Sequence, residues 1–249
     1  MYLTIQGLVL RVTAYNDTDA LLTILTGEHG KLTVKARGLR RKNSPLIAPC
    51  QLLAYGEFTL FEYREMYTIN EAHSIELFQQ LRRDLGKLSL GTYFAQAADV
   101  ISQEDLPNPE LLSLVLNCLF ALSKLDASEN QVKSVFELRS ACLAGYTPDL
   151  YVCHRCGNLF PDRFDLSQGH LECAGCRSFE SGGIRLPVSP GALDAMRYIC
   201  SCDPKRLLSF QAGEDTLEEL SHITESYFLT QLERGFSTLD FYKSLNVQI

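Results

Sequence analysis

The sequence predicts an α+β multidomain chain, an N-terminal β-barrel followed by a helical domain that carries an inserted four-cysteine element. Three observations lead there. The first 75 residues contain short stretches of alternating apolar and polar side chains separated by turn residues. From Ile75 onward, apolar residues recur at helical spacing. Residues 150–182 follow neither period and hold two closely spaced cysteine pairs. The predicted division is residues 1–76 for the barrel and 77–249 for the helical domain, with 150–182 as the insertion.

The first two strands read as Leu3–Thr13 and Ala20–Leu25. Turn chemistry at Thr26-Gly27-Glu28-His29-Gly30 leads into a third, Lys31–Arg37. There Leu32, Val34 and Ala36 share one side, so Lys31, Thr33, Lys35 and Arg37 share the other. A basic loop, Gly38–Ser44, ends at Pro45, and Gln51–Glu62 and Met66–Ala72 complete five strands. Five short strands suggest a Greek-key barrel of the OB type, although the count alone also allows an SH3-like barrel.

Leu77, Leu81, Leu85 and Leu88 predict a helix running to about Ser102. Pro107-Asn108-Pro109 ends it and starts another, Glu110–Leu125, with Asn108 as N-cap. A third spans Glu129–Ala144, stopped by Gly145. Beyond the insertion, Ser189 caps a helix over Gly191–Cys200, a longer one covers Thr216–Gly235, and Ser237–Leu245 forms an apolar tail.

The chain has 249 residues, 46% hydrophobic and 21% charged, which argues against a disordered, collagenous or coiled-coil protein. The longest apolar run, Leu111–Leu122, is too short to cross a bilayer and is interrupted by Ser113 and Asn117. Arg11 and Asp17 fall where a signal peptide needs its apolar core and cleavage site, so a cytoplasmic protein with no membrane association is expected. The formal net charge of −7 conceals an asymmetry: residues 1–50 carry +4 and the remainder −11. Six of the seven basic residues in the first fifty fall in Lys31–Lys42, where there is no acid. Such a patch attracts polyanions locally within an acidic chain.

The sharpest chemical signal is Cys153-x2-Cys156, then Cys173-x2-Cys176, the spacing of a zinc ribbon. Two such knuckles complete a closed tetrahedral shell of four thiolates, so one structural Zn2+ is expected. His154 and His170 are unnecessary to that shell and read as solvent-facing loop residues. Arg155, Arg163 and Arg177 flank the knuckles as possible phosphate contacts, but ribbon surfaces often carry such charges and they are not counted as site residues. Cys50, Cys118 and Cys142 read as inert core thiols, and Cys200 and Cys202 as a pair lacking partners.

Lys31, Lys35, Arg37, Arg40, Arg41 and Lys42 read either as a phosphate-binding surface or as a solvated face, and an OB-type setting favours the former. Tyr55, Phe61, Tyr63 and Tyr67 are candidate base-stacking platforms beside them, or core aromatics. No nucleophile elbow, P-loop or dinucleotide fingerprint is present, and Gly182-Gly183 is an isolated pair, so no enzyme is predicted.

Several segments, taken in order, resemble the RecO family of bacterial DNA repair proteins. They are Gly7-Leu8-Val9-Leu10, Leu25–Lys31, Ala36–Ser44, Gly145–Leu150 directly before Cys153-His154-Arg155-Cys156-Gly157, Leu186–Leu193, and Phe236–Phe241. The resemblance extends nearly end to end. It implies an OB-fold domain followed by a helical domain with a zinc element. It also implies a non-enzymatic recombination mediator that binds single- and double-stranded DNA and anneals complementary strands. With RecR such a protein helps load RecA onto DNA coated by single-strand-binding protein, in the cytoplasm and at the nucleoid during repair. The rival expectations are a protein adaptor with little DNA binding, favoured by the −11 balance of residues 51–249, and a nucleic-acid enzyme without a recognised motif.

Overall fold

The computed structural model describes residues 2–64, 66–125, 127–176 and 183–246; Arg177, Gly182 and the end of the predicted insertion lie outside the described residues. The chain divides into two compact units, Met1–Asp126 with Phe236–Ile249, and Ala127–Gly235.

The first unit opens with β1 (Tyr2–Ala14), β2 (Ala20–Thr26), β3 (Lys31–Ala36), β4 (Tyr55–Tyr63) and β5 (Met66–Glu76). They pair in the order β1-β2-β3-β5-β4 and close on β1. All pairs are antiparallel except β3 with β5, where Lys35 stands opposite Thr68. Of the two barrel types that the strand count allows, this is the OB arrangement. Period-two alternation sends Leu32, Val34 and Ala36 into a core with Ile5, Leu22, Ile24, Phe58, Leu60 and Ile69. Gly7 faces Gly56 across the β1–β4 seam. A Cβ on Gly56 would come 2.6 Å from the His73 carbonyl oxygen, and one on Gly7 2.8 Å from that of Leu25. Only hydrogen fits at either position, so the seam closes on two glycines.

Among the described residues, six helices follow: α1 (Leu85–Ile101), α2 (Pro109–Lys124), α3 (Glu129–Leu143), α4 (Pro190–Ser201), α5 (Glu214–Gln231) and α6 (Ser237–Asn246). α1 and α2 pack against β1, which is why Leu8 and Leu10 are buried as well as Val9. α6 lies on α1, with the Tyr93 and Phe236 rings 5.4 Å apart edge-to-face.

Two predicted elements differ from the observed ones. β4 begins at Tyr55, not Gln51, because the preceding residues form turns. Leu53 adopts φ 64°, its N–H donates to the Val9 carbonyl at 2.9 Å, and the Val9 N–H donates to Ala54 at 2.9 Å. The predicted helix from Leu77 is broken. Phe78 has φ 47°, a single 3-10 turn covers Gln79–Arg83, and Asp84 restarts the chain as the N-cap of α1, accepting the Lys87 N–H at 3.0 Å. Leu77 packs against the barrel core instead, and Leu85 is exposed. Asn108 and Ser189 cap α2 and α4 as expected, accepting from Leu111 and Ala192. Gly145 follows α3 with φ 94°.

The second unit combines α3, α4 and α5 with a sheet the sequence did not announce: β6 (Asp149–Cys153), β7 (Arg163–Asp165), β8 (His170–Glu172) and β9 (Arg185–Pro187), ordered β6-β8-β7-β9. Three-residue strands are too short to display a period. Between α3 and α5 the buried Lys133 ammonium binds Glu137 at 3.1 Å and Glu225 at 2.9 Å, and the Thr224 hydroxyl donates to Glu137 at 2.9 Å. One cation serves two carboxylates. Burial pushes Glu137 up to about 7, with Lys133 opposing and Glu225 reinforcing the rise. The folded state therefore holds this proton more tightly than the unfolded chain does. The resulting stability is complete below the ordinary value of 4.5 and lost as pH rises through about 7. Glu137→Gln keeps the acceptor for Thr224, and its melting temperature should vary less than that of the natural protein between pH 4.5 and pH 7. An unchanged pH profile would remove Glu137 as the source.

Candidate nucleic-acid interface and metal centre

β3 and the loop after it present the basic run. Lys31 is half-buried and spoken for: its ammonium donates to the Asp99 carbonyl oxygen at 2.6 Å and pairs with the Asp99 carboxylate at 3.2 Å, near the C-terminal end of α1. Arg11 shares Asp99 at 3.4 Å. Lys35 pairs with Asp19 at 3.2 Å and stands over the Tyr15 ring, 4.5 Å from its centroid. Arg37, Arg40, Arg41 and Lys42 are exposed. Arg40 donates to the Asn16 carbonyl oxygen at 2.6 Å. Among the described residues, no ion pair or side-chain hydrogen bond engages the guanidinium of Arg37 or Arg41 or the Lys42 ammonium.

The residue that organises this surface is an acid outside the basic run, and nothing in its local sequence marks it. Asp19 accepts the Gly38 N–H at 2.9 Å, binds Lys35, and receives Asn16 at 3.2 Å and Thr18 at 3.1 Å. The Gly38 N–H above all, with Asn16, Lys35 and Thr18 assisting against partial burial, holds its carboxyl well below the usual carboxylate range. Gly38 has φ 68°, which turns the chain from β3 into the loop, and the Arg40 N–H donates to the Thr18 carbonyl at 3.0 Å. The β1–β2 turn thus anchors the cationic loop from beneath. Only the spatial pairing of residues 19 and 38 reveals it, since Asp19 alone looks like a turn residue.

Of the candidate aromatic platforms, Tyr55 donates its hydroxyl to Gln6 at 3.2 Å and Tyr67 packs against the barrel core. Phe61 and Tyr63 are exposed, and Tyr2 and Met66 join them on the same outer face.

In the second unit the four sulfurs of Cys153, Cys156, Cys173 and Cys176 lie within 4.8 Å of one another. Tetrahedral zinc with four thiolates at about 2.3 Å places sulfurs about 3.8 Å apart, and Cys156 and Cys173 stand 3.9 Å apart. That is far beyond a disulfide length and close to the edge of a thiolate tetrahedron. The donor set fits a metal ion. β6 ends at Cys153, Gly157 turns the first knuckle with φ 71°, and a 3-10 turn over Ala174–Cys176 forms the second. Burial opposes ionisation of Cys153, but the N–H groups of Cys156, Arg155 and Cys173 outweigh it and hold this thiol at about 6.

A buried ionic cluster supports the sheet beside the knuckles. Glu172 accepts Arg155 at 2.9 Å and Arg185 at 2.7 Å, and Arg185 also reaches Asp165 at 3.3 Å. Arg155 is therefore committed to Glu172, and Arg163 lies 3.8 Å from Asp162. His170 differs from its predicted setting: it sits on β8, half-buried, stacked on His154 with centroids 4.3 Å apart and 3.3 Å from Glu172. Cys142 also departs from expectation, facing Cys200 with sulfurs 3.8 Å apart. Cys50 matches the inert reading, since burial pushes its thiol up to about 12.

Family models described as Recombination protein O N terminal and Recombination protein O C terminal match residues 1–78 and 82–240. The chain belongs to the RecO family. The DNA repair protein RecO of Acetivibrio thermocellus is 36% identical over 98% of this chain and 98% of its own. Those of Alkaliphilus metalliredigens and Bacillus subtilis are 29% and 28% identical, covering 98% and 90% of this chain and 100% and 87% of theirs. The RecO barrel thus carries the basic loop. No helix among the described residues is long and apolar enough to cross a membrane.

Asp19→Asn removes the charge that holds Gly38 and Lys35. Amide exchange at Gly38 and Arg40 should accelerate by about tenfold, as for loss of a charge-assisted hydrogen bond, while exchange in β4 stays unchanged. Equal protection at Gly38 in both proteins would show that the loop does not depend on Asp19.

Proposed function

We propose that this chain is a non-enzymatic recombination mediator. It binds single- and double-stranded DNA, anneals complementary strands and, with RecR, helps load RecA onto DNA coated by single-strand-binding protein. Membership of the RecO family supports the repair role, and the exposed Arg37, Arg40, Arg41 and Lys42 on an OB barrel support the DNA contact. The observation that carries the reading is the loop itself: cations held on a fixed scaffold by Asp19, three of them without a side-chain partner among the described residues. Lys31 and Lys35 add positive potential at its edge, partly offset by Asp99 and Asp19. Cations that neutralise phosphates without reading bases give sequence-independent affinity. They also lower the repulsion between two strands, which promotes annealing with no bond made or broken. Residues 1–76 serve as the DNA-binding domain in this reading.

The test is the affinity for a fluorescent single-stranded oligonucleotide across a salt series. Four engaged cations predict a slope of log affinity against log salt of about −3. Arg41→Glu with Lys42→Glu should make that slope shallower by about 1.4. Absence of binding even at low salt would favour the adaptor reading.

The four-cysteine cluster serves in this proposal as a zinc site. Bound zinc would supply a crosslink between the two knuckles and no open coordination position. Purified protein should contain one zinc per chain, and Cys153→Ser should lose it and lower the melting temperature without changing the salt slope. Full zinc content in Cys153→Ser would exclude this ligand set.

A further inference from the structure

The outer face formed by β1, β4 and β5 carries a second feature that phosphate binding leaves unexplained. Tyr2, Phe61, Tyr63 and Met66 are 62%, 40%, 60% and 51% exposed, although the barrel core is filled by other side chains. The register explains their assembly. Tyr2 lies opposite Phe61, Phe61 opposite Thr68, and Thr68 opposite Lys35, so one outward row crosses four strands from an aromatic end to a basic end. Tyr63 opposite Met66 forms the next row. The Tyr2 and Phe61 rings are 5.3 Å apart, and the Arg64 guanidinium stands over Tyr63 at 5.2 Å from its centroid. Between these side chains is a hollow of about 340 Å³ with Arg37 and Asn70 at its rim. No acid lines it among the described residues.

We propose that this hollow is a base-stacking platform that engages unpaired nucleobases of single-stranded DNA, and so gives the protein a preference for single strands over duplex. The proposal rests on the DNA-binding reading above and adds to it a distinct contact. Charge and shape select the occupant. Flat rings beside Arg37 and Arg64, in a hollow that no carboxylate lines among the described residues, suit a planar ligand attached to an anionic backbone. Bases within a duplex are already stacked and cannot reach the rings, whereas the loop cations meet phosphates of either form. Two contacts thus divide the work: the loop holds any nucleic acid, and the platform discriminates unpaired strands. Asn70 offers an amide donor and acceptor to a base edge.

The experiment compares three probes of equal length with the full chain: an oligothymidylate, an abasic strand with the same phosphates, and a duplex. The natural protein should bind the oligothymidylate about tenfold or more tightly than the abasic strand, as base–aromatic stacking provides. Phe61→Ala with Tyr63→Ala should abolish that difference and leave duplex affinity and the salt slope unchanged. Because the chain has no Trp, Tyr63→Trp supplies a single reporter that leaves an aromatic ring in place. Its fluorescence should be quenched by the oligothymidylate and not by the abasic strand. Equal affinity of the natural protein for both strands, or an undiminished difference in the double variant, overturns the platform while leaving phosphate binding intact. Failure to bind all three probes at low salt overturns both readings together.

Discussion

Closure of the barrel through the β1–β4 seam is the constraint on which the first unit depends. The seam closes because Gly7 and Gly56 stand opposite each other, where any side chain would meet the backbone of a neighbouring strand. Closure makes every outward position predictable in space. It brings Lys35 on β3 level with Thr68 on β5, Phe61 on β4 and Tyr2 on β1. A basic strand and an aromatic edge, separated by more than twenty residues of chain, become one continuous face. Just beyond Gly7, Leu8, Val9 and Leu10 of β1 are buried in succession, where α1 and α2 are seated against the strand.

Charge in this protein is placed by pairing as much as by composition. Two of the six cations in the basic run have their own acid, Lys31 with Asp99 and Lys35 with Asp19. These pairs are half-buried and set geometry: Lys31 ties β3 to the end of α1, and Asp19 ties the loop to the β1–β2 turn. Their neutralised cations contribute less to the long-range field than a count suggests. The outward cations that remain, Arg37, Arg40, Arg41 and Lys42, follow the anchored residues directly in the chain. A rigid base thus carries a solvent-facing edge, which suits a ligand recognised by its backbone charge.

In the second unit, two closed polar systems replace what a small sheet cannot obtain from apolar burial. Four thiols converge where β6 ends and where the turn after β8 begins. Beside them Glu172 and Asp165 share Arg185, and each buried charge has an opposite within hydrogen-bond reach. Strands of three residues have few ladder bonds, so such crosslinks hold their register. Between α3 and α5, Lys133 does the same for two helices, and burial, reinforced by the second carboxylate of Glu225, is why Glu137 favours its proton.

Much of this was legible in the sequence. Period-two alternation in Lys31–Ala36, the capping residues Asn108 and Ser189, and the Cys-x2-Cys spacing each act over a few residues, and local chemistry alone decides them. The strand count suggested the OB topology and the family resemblance implied it, but the count alone left the SH3-like alternative open, because the choice turns on the parallel pairing of β3 with β5. Nor were the break at Asp84, the turn at Leu53, or the short strands of the second unit, where tertiary contacts outweigh a weak local period. The roles of Asp19 and Asp99, the meeting of Cys142 with Cys200 and the stacking of His154 on His170 depend on residues far apart in the chain or on opposite sides of a turn. Which segments extend, which coil and which gather thiols is written in neighbouring residues, because those choices are local. Which cations stay unpaired and which aromatics share a face is settled in three dimensions, because barrel closure and helix packing bring those partners together.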